Sequence, residues 1–314
     1  MNRSGLESHP DIVFDAARDS PAAIAESIRT RGIAYLKNAV NRDTAAFCAN
    51  SVAANARDLS AMIGKDVNDM PLCFADRHTE GDEEYATLFG NRLSDFKDPL
   101  TFSGMNPSWY YEGLRNYKIW FWRNGNHFPN LVLRAAFDSI LPSVYTAYFG
   151  GECFTSYESN CVRYQRPDLQ YLSYFFHQDS SYHSRDPKDH VGLTTWMPLT
   201  DAGKDAPGLQ VYPYKLHELL PIPEGIEPPY LFADEAYCSA RFGDTLWAPA
   251  IPAGDVIVFD NFCVHRTFIT ATMTRERQSA DLRVFPVRGA PDFARRWNSW
   301  TVTFPLQFEL NRAK

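Results

Sequence analysis

The sequence predicts a mainly β fold with flanking helices, in which helices pack on the outside of a double-sheet barrel. Three observations carry this. Apolar residues recur at helical spacing before Gly150. After Gly150 the chain breaks into short β-rich runs punctuated by Pro and Gly. Several short strands with such punctuation argue for an antiparallel sandwich or barrel.

The elements follow in chain order. "SPAAIAESIRTRG" places Ser20 before Pro21, a capping residue followed by a good first helical residue, and Gly32 can end the helix. "IAYLKNAV" reads as a short strand. From Arg42 to Ile63, the residues Cys48, Val52, Ala56, Leu59 and Ile63 recur at steps of three and four, which predicts an amphipathic helix. Leu133, Phe137, Leu141, Val144 and Tyr148 form a second stripe, which Pro142 kinks or splits. The strand candidates are then "CFTSYESNCVRYQ", "GLTTWMPL", "GLQVYP", "DVIVFD", "HRTFITAT", "SADLRVFPV" and "WTVTFPLQFEL". No flexible linker stands near residue 150. Residues 1–150, helical with an early strand, and 151–314, the barrel, are therefore read as one domain.

Composition narrows the function. The chain has 314 residues, 45% hydrophobic, enough for a large core, and a formal net charge of −7. No basic stripe marks a nucleic-acid binder. No apolar run is long enough for a membrane span, and the N-terminal stretch has no apolar signal core. Six cysteines without CxxC spacing predict reduced thiols in the cytoplasm.

The stretch "YFFHQDSSYH" sets an imidazole and a carboxylate two residues apart beside aromatics. In a strand, His177 and Asp179 point to one side. Alone, HxD is weak, because polar pairs are common on solvent faces. Imidazole and carboxylate together suit Fe(II), and two His with one carboxylate leave coordination positions open. His265 is the best third ligand, following the apolar run "DVIVF" and expected from the opposing sheet. His183 and His190 sit in a polar loop, and His217 is read at the start of a surface helix. His9, His78 and His127 fall in the helical half.

Strand parity puts His265 and Thr267 on one face, and Arg277, Ser279, Asp281 and Arg283 on one face of the next strand. Arg277 with Ser279 is well built to hold a carboxylate. The bland alternative makes Arg277 a surface turn residue paired with Glu276 or Asp281.

Together these residues resemble the phytanoyl-CoA dioxygenase-like branch of the Fe(II)/2-oxoglutarate-dependent oxygenases. The resemblance covers roughly residues 153–287, through "HQD", "TTWMPLTDAG", "APGLQVYP", "AGDVIVF" and the distal His265 with Arg277 and Ser279. It implies a double-stranded β-helix, the jelly-roll or cupin-like fold. It implies Fe(II) at His177, Asp179 and His265, and 2-oxoglutarate at Arg277 and Ser279, with Arg283 as the fallback anchor. Trp196 and Thr267 are similar in placement to residues that line the cosubstrate in relatives. The chain departs from the family in reading "PYKLH" where "PGSH" is common, and "TFITAT" where an Asn is common.

The implied activity is hydroxylation of a small molecule with O2, releasing succinate and CO2. Two other readings stand beside it. A cupin-like metal enzyme without 2-oxoglutarate has no use for Arg277 and Ser279, and a non-catalytic jelly-roll binding module tolerates loss of His177 or Asp179. The aromatic stretch 108–123, with Lys118 and Arg123, is a further candidate for lining a pocket, against the simpler reading as core aromatics and solvated charges.

Overall fold

The computed structural model of the chain describes residues 6–63, 128–156, 160–167, 175–179, 191–221, 223–224, 233–291, 301–304 and 307–309. The 108–123 stretch, His78, His127, His183 and His190 lie outside them.

Local chemistry sets the helices. α1 (Pro21–Arg31) begins where the Ser20 hydroxyl accepts the Ala23 N–H at 3.2 Å. It ends at Gly32, whose φ of 81° is the left-handed conformation that glycine adopts without a Cβ penalty. α2 spans Arg42–Ile63. The second apolar stripe is split: α3 (Phe128–Phe137) stops short of Pro142, and α4 (Leu141–Phe149) takes that proline into its first turn.

The strands are β1 (Val13–Asp15), β2 (Ile33–Lys37), β3 (Cys153–Ser156), β4 (Cys161–Gln165), β5 (Leu193–Pro198), β6 (Gly208–Val211), β7 (Val256–Asp260), β8 (His265–Phe268), β9 (Arg277–Pro286), β10 (Thr301–Phe304) and β11 (Gln307–Glu309). The large sheet runs β1-β2-β7-β5-β9-β3-β10-β11. β4 joins it beside the first half of β9, and β3 flanks the second half. The small sheet pairs β6 with β8. Single bridges widen it, with His177 beside His265 on one edge and Trp247 beside Val211 on the other.

Alternation sorts the large sheet's two faces. Ala34, Leu36, Leu193, Met197, Val256, Val258, Ala280, Leu282 and Val284 pack against Ile24, Ile28, Cys48, Val132 and Val144 of the helices. The alternate residues Ile33, Tyr35, Trp196, Ile257 and Phe259 face the small sheet's Leu209 and Val211 and the segment around Trp247. One face of the large sheet thus packs against these helices and the other against the small sheet and the Trp247 segment.

Several expectations need correction, and two elements go beyond what the sequence predicts. "CFTSYESNCVRYQ" is two strands, because its halves flank different halves of β9. His217 does not start a helix: "YKLHELL" is irregular, and its Leu216 and Leu220 are buried under α5 (Glu235–Phe242), a helix that the sequence reading missed. The Asp234 carboxylate caps α5 by accepting the Tyr237 N–H at 2.6 Å. His265 does not oppose His177 across the barrel but lies next to it in the small sheet. Short β1, paired parallel to β2, was also unforeseen.

No helix among the described residues is long and apolar enough to cross a membrane. Cys48, Cys153, Cys238 and Cys263 are free and buried.

One turn before β7 is sterically exacting. Gly254 has φ 93°, and a Cβ there would lie 2.4 Å from the Val40 carbonyl oxygen, while its own carbonyl accepts the Val40 N–H at 2.8 Å. Gly254→Ala is expected to destabilise the protein by about 1–3 kcal/mol, read as a lower denaturation midpoint with an unchanged slope.

Candidate metal centre

The segment 175–179 is held to β8 by a reciprocal backbone pair: His177 N–H donates to the His265 carbonyl and His265 N–H to the His177 carbonyl, each at 3.0 Å. This sets the two imidazoles side by side, with ring centroids 4.1 Å apart. His177 Nδ1 donates to the Phe175 carbonyl at 2.9 Å, and His265 Nδ1 donates to the Cys263 carbonyl at 3.0 Å. A carbonyl can only accept, so both Nδ1 atoms carry the proton and the ring lone pair lies on Nε2 in each.

Asp179 completes the group. Its Oδ1 stands 4.0 Å from His177 Nε2 and 3.9 Å from His265 Nε2, and all three donor atoms lie within 4.8 Å of one another. Nitrogen and oxygen donors about 2.1 Å from one ion sit about 3 Å apart at neighbouring positions. The two histidine–carboxylate spacings are within about 1 Å of that, and the donor set suits a divalent transition metal with open positions. The residues present fit such an ion.

Electrostatics favours the ligating protonation states. Burial pushes the His177 pKa down to about 3, with His265 adding to the shift. Burial likewise lowers His265. For Asp179, burial pushes upward, but the Arg283 guanidinium, helped by the Thr194 hydroxyl, outweighs it and leaves the carboxyl well below its ordinary range. The centre is therefore two neutral imidazoles and a carboxylate.

The large sheet supplies the floor in cross-strand rows. Phe259, Thr194 and Arg283 are directly paired across β7, β5 and β9. Each touches the group: Phe259 lies 4.6 Å from the His265 ring, the Thr194 hydroxyl donates to Asp179 Oδ2, and Arg283 Nη2 donates to Asp179 Oδ1 at 3.2 Å. Arg283, named above as the fallback anchor, is thus bonded to Asp179. Thr194 was missed, although its parity with Trp196 in "GLTTWMPL" was available. Thr194→Val removes the donor that fixes Oδ2, and divalent metal affinity is expected to fall about tenfold, measurable by titration with Co(II).

The next row along the same face is Ile257, Trp196 and Asp281, and the one after it Pro198 and Ser279. Asp281 pairs with Arg163 Nε at 2.5 Å. Arg277, one further step along β9, is fully buried at 1% exposure. Its guanidinium carbon lies 5.4 Å from the Trp196 ring centroid, and Nη1 reaches the Gly208 carbonyl of the small sheet at 3.4 Å. The head group thus reaches back to the level of Trp196, one row from the histidines and carboxylate. A row is about 7 Å along a strand. Ser279 Oγ is fully buried and has no hydrogen-bond partner among the described residues. Thr267 is buried on the same face of β8 as His265. The surface-turn alternative for Arg277 is incompatible with this burial.

No protein-family model and no curated protein matches the chain. Solved structures do resemble it. EctD from S. alaskensis with 2-oxoglutarate and 5-hydroxyectoine superposes with a TM-score of 0.52 at 16% identity, over 92% of this chain and 84% of that one. Its apo form gives 0.52 at 16% identity, over 94% and 87%. A non-heme monooxygenase, ThoJ in its apo form, gives 0.48 at 16% identity, over 92% and 84%. The EctD likeness is one of fold.

Proposed function

We propose that the chain is an Fe(II)- and 2-oxoglutarate-dependent oxygenase of the phytanoyl-CoA dioxygenase-like type. It hydroxylates an unactivated C–H bond of a small molecule, converting 2-oxoglutarate and O2 to succinate and CO2. The two facing sheets are read as its double-stranded β-helix within one domain, 1–314. A reducing cytoplasm suits the free buried thiols.

The observation that carries this reading is the placement of Arg277. Its buried guanidinium lies one row from the His177–Asp179–His265 group, and the Ser279 hydroxyl two rows from it. A short diacid that chelates a metal at one end presents its second carboxylate at such a distance. A buried guanidinium offers that carboxylate a charge-assisted partner, and Ser279 a further donor. EctD, which shares the fold, holds 2-oxoglutarate.

His177, Asp179 and His265 would hold the iron. When bound, iron supplies activation of dioxygen, with 2-oxoglutarate as the reductant that is decarboxylated. The protein's residues position and exclude. Arg277 and Ser279 fix the cosubstrate's far end. Trp196 and Thr267 wall its path and keep water from the carboxylate pair. Thr194 and Arg283 hold Asp179 in the orientation in which Oδ1 faces both imidazoles. A carboxylate at position 179 favours hydroxylation over halogenation, which needs that coordination position open.

A thermal-shift experiment tests the reading. 2-Oxoglutarate is expected to raise the melting temperature only when Mn(II) or Fe(II) is present, and succinate to do so much less. An equal shift without metal contradicts chelation.

A further inference from the structure

Gln178 lies between two of the three residues that the proposed function assigns to iron. Alternation turns it away from them. His177 and Asp179 face inward, while Phe176 and Gln178 face the apolar layer under α5. There the Gln178 amide, only 2% exposed, makes three bonds to backbone. Nε2 donates to the Glu218 carbonyl at 3.0 Å and to the Phe262 carbonyl at 2.8 Å, and Oε1 accepts the Leu220 N–H at 2.8 Å.

These bonds tie three pieces of chain. One is the ligand segment 175–179. Another is the irregular stretch after β6. The last is the turn 261–264 that leads from β7 into His265. Phe262 adjoins Cys263, whose carbonyl takes the Nδ1 proton of His265 and so selects its free Nε2. One amide thus fixes the backbone between two proposed ligands and the turn that orients the third.

We propose that Gln178 is a positioning residue for the metal centre, setting metal affinity through the relative placement of all three ligands. The inference rests on the proposed metal site. Only an amide serves here, since the position needs donors for two carbonyls and an acceptor for one N–H. Glutamate can accept from Leu220 but cannot donate to either carbonyl, and leucine can do neither.

The test is Co(II) titration of the full chain, wild type against Gln178→Leu and Gln178→Glu, with Tyr35→Phe as a control. Tyr35 makes a comparable buried bond, to Asp255 Oδ2 at 2.6 Å, without touching the proposed ligands. Both Gln178 variants are expected to bind Co(II) about 10–100-fold more weakly and to change the visible ligand-field spectrum of the Co(II) form. The control is expected to lower the melting temperature while keeping wild-type affinity and spectrum. Wild-type affinity and spectrum in either folded Gln178 variant overturns the proposal, as does an equal loss of affinity in Tyr35→Phe. Failure of the wild-type chain to bind Co(II) contradicts the metal site itself, a different result from unaltered binding in the variants.

Discussion

Asp179→Ala is expected to abolish turnover of 2-oxoglutarate to succinate and to weaken divalent metal binding by more than about 100-fold, beyond the range for losing an outer partner. Asp179 is fully buried and its Oδ1 faces both imidazoles, so no other described carboxylate reaches the same donor position. The loss compounds itself. Arg283 Nη2 stands 3.2 Å from the same oxygen. Without the carboxylate, an incoming cation meets two neutral imidazoles beside a guanidinium, and the like charges repel. Asp179→Asn keeps the shape and an acceptor but not the charge, and is expected to fall between the two. Radiolabelled succinate release and Co(II) titration read both effects. Unchanged turnover in Asp179→Ala rules out the assignment of Asp179.

Arg277→Ala has the second large effect, and a different signature. It is expected to raise the 2-oxoglutarate dissociation constant about 100-fold or more, the scale of removing one partner from a buried charge pair, about 3 kcal/mol. Co(II) affinity is expected to stay near wild type, because Arg277 reaches the Trp196 row and not the ligands. Arg277→Lys restores a charge but not the two-pronged geometry, and recovers only part of the loss. Ser279→Ala removes one neutral donor and costs about tenfold or less. An Arg277→Ala protein that binds 2-oxoglutarate normally would place the anchor elsewhere.

Much of this centre was legible in the sequence because period-two parity is robust. Once Arg277, Ser279, Asp281 and Arg283 are put on one strand, their shared face follows, and β9 has it. The helix over Arg42–Ile63 and the cap at Ser20 were equally readable, since both are local. Pairings between distant segments were not. Nothing local says that His177 bridges His265, so its sheet was misplaced. For Arg283, sequence gives the face but not the row it occupies. The row is set by register with β5, where Thr194 brings Arg283 to Asp179. Gln178 was hidden for the same reason: its partners are backbone atoms, which carry no sequence signal.

The most direct test is spectroscopic and anaerobic. Fe(II) is added to the protein, then 2-oxoglutarate, and the visible region is followed for the charge-transfer band of a chelated 2-oxoacid. The arrangement of the centre predicts a band in the wild type that Arg277→Ala weakens at the same 2-oxoglutarate concentration and that excess cosubstrate restores. Fe(II) binding with no band at any concentration in the wild type would contradict it, leaving a metal centre without 2-oxoglutarate chemistry.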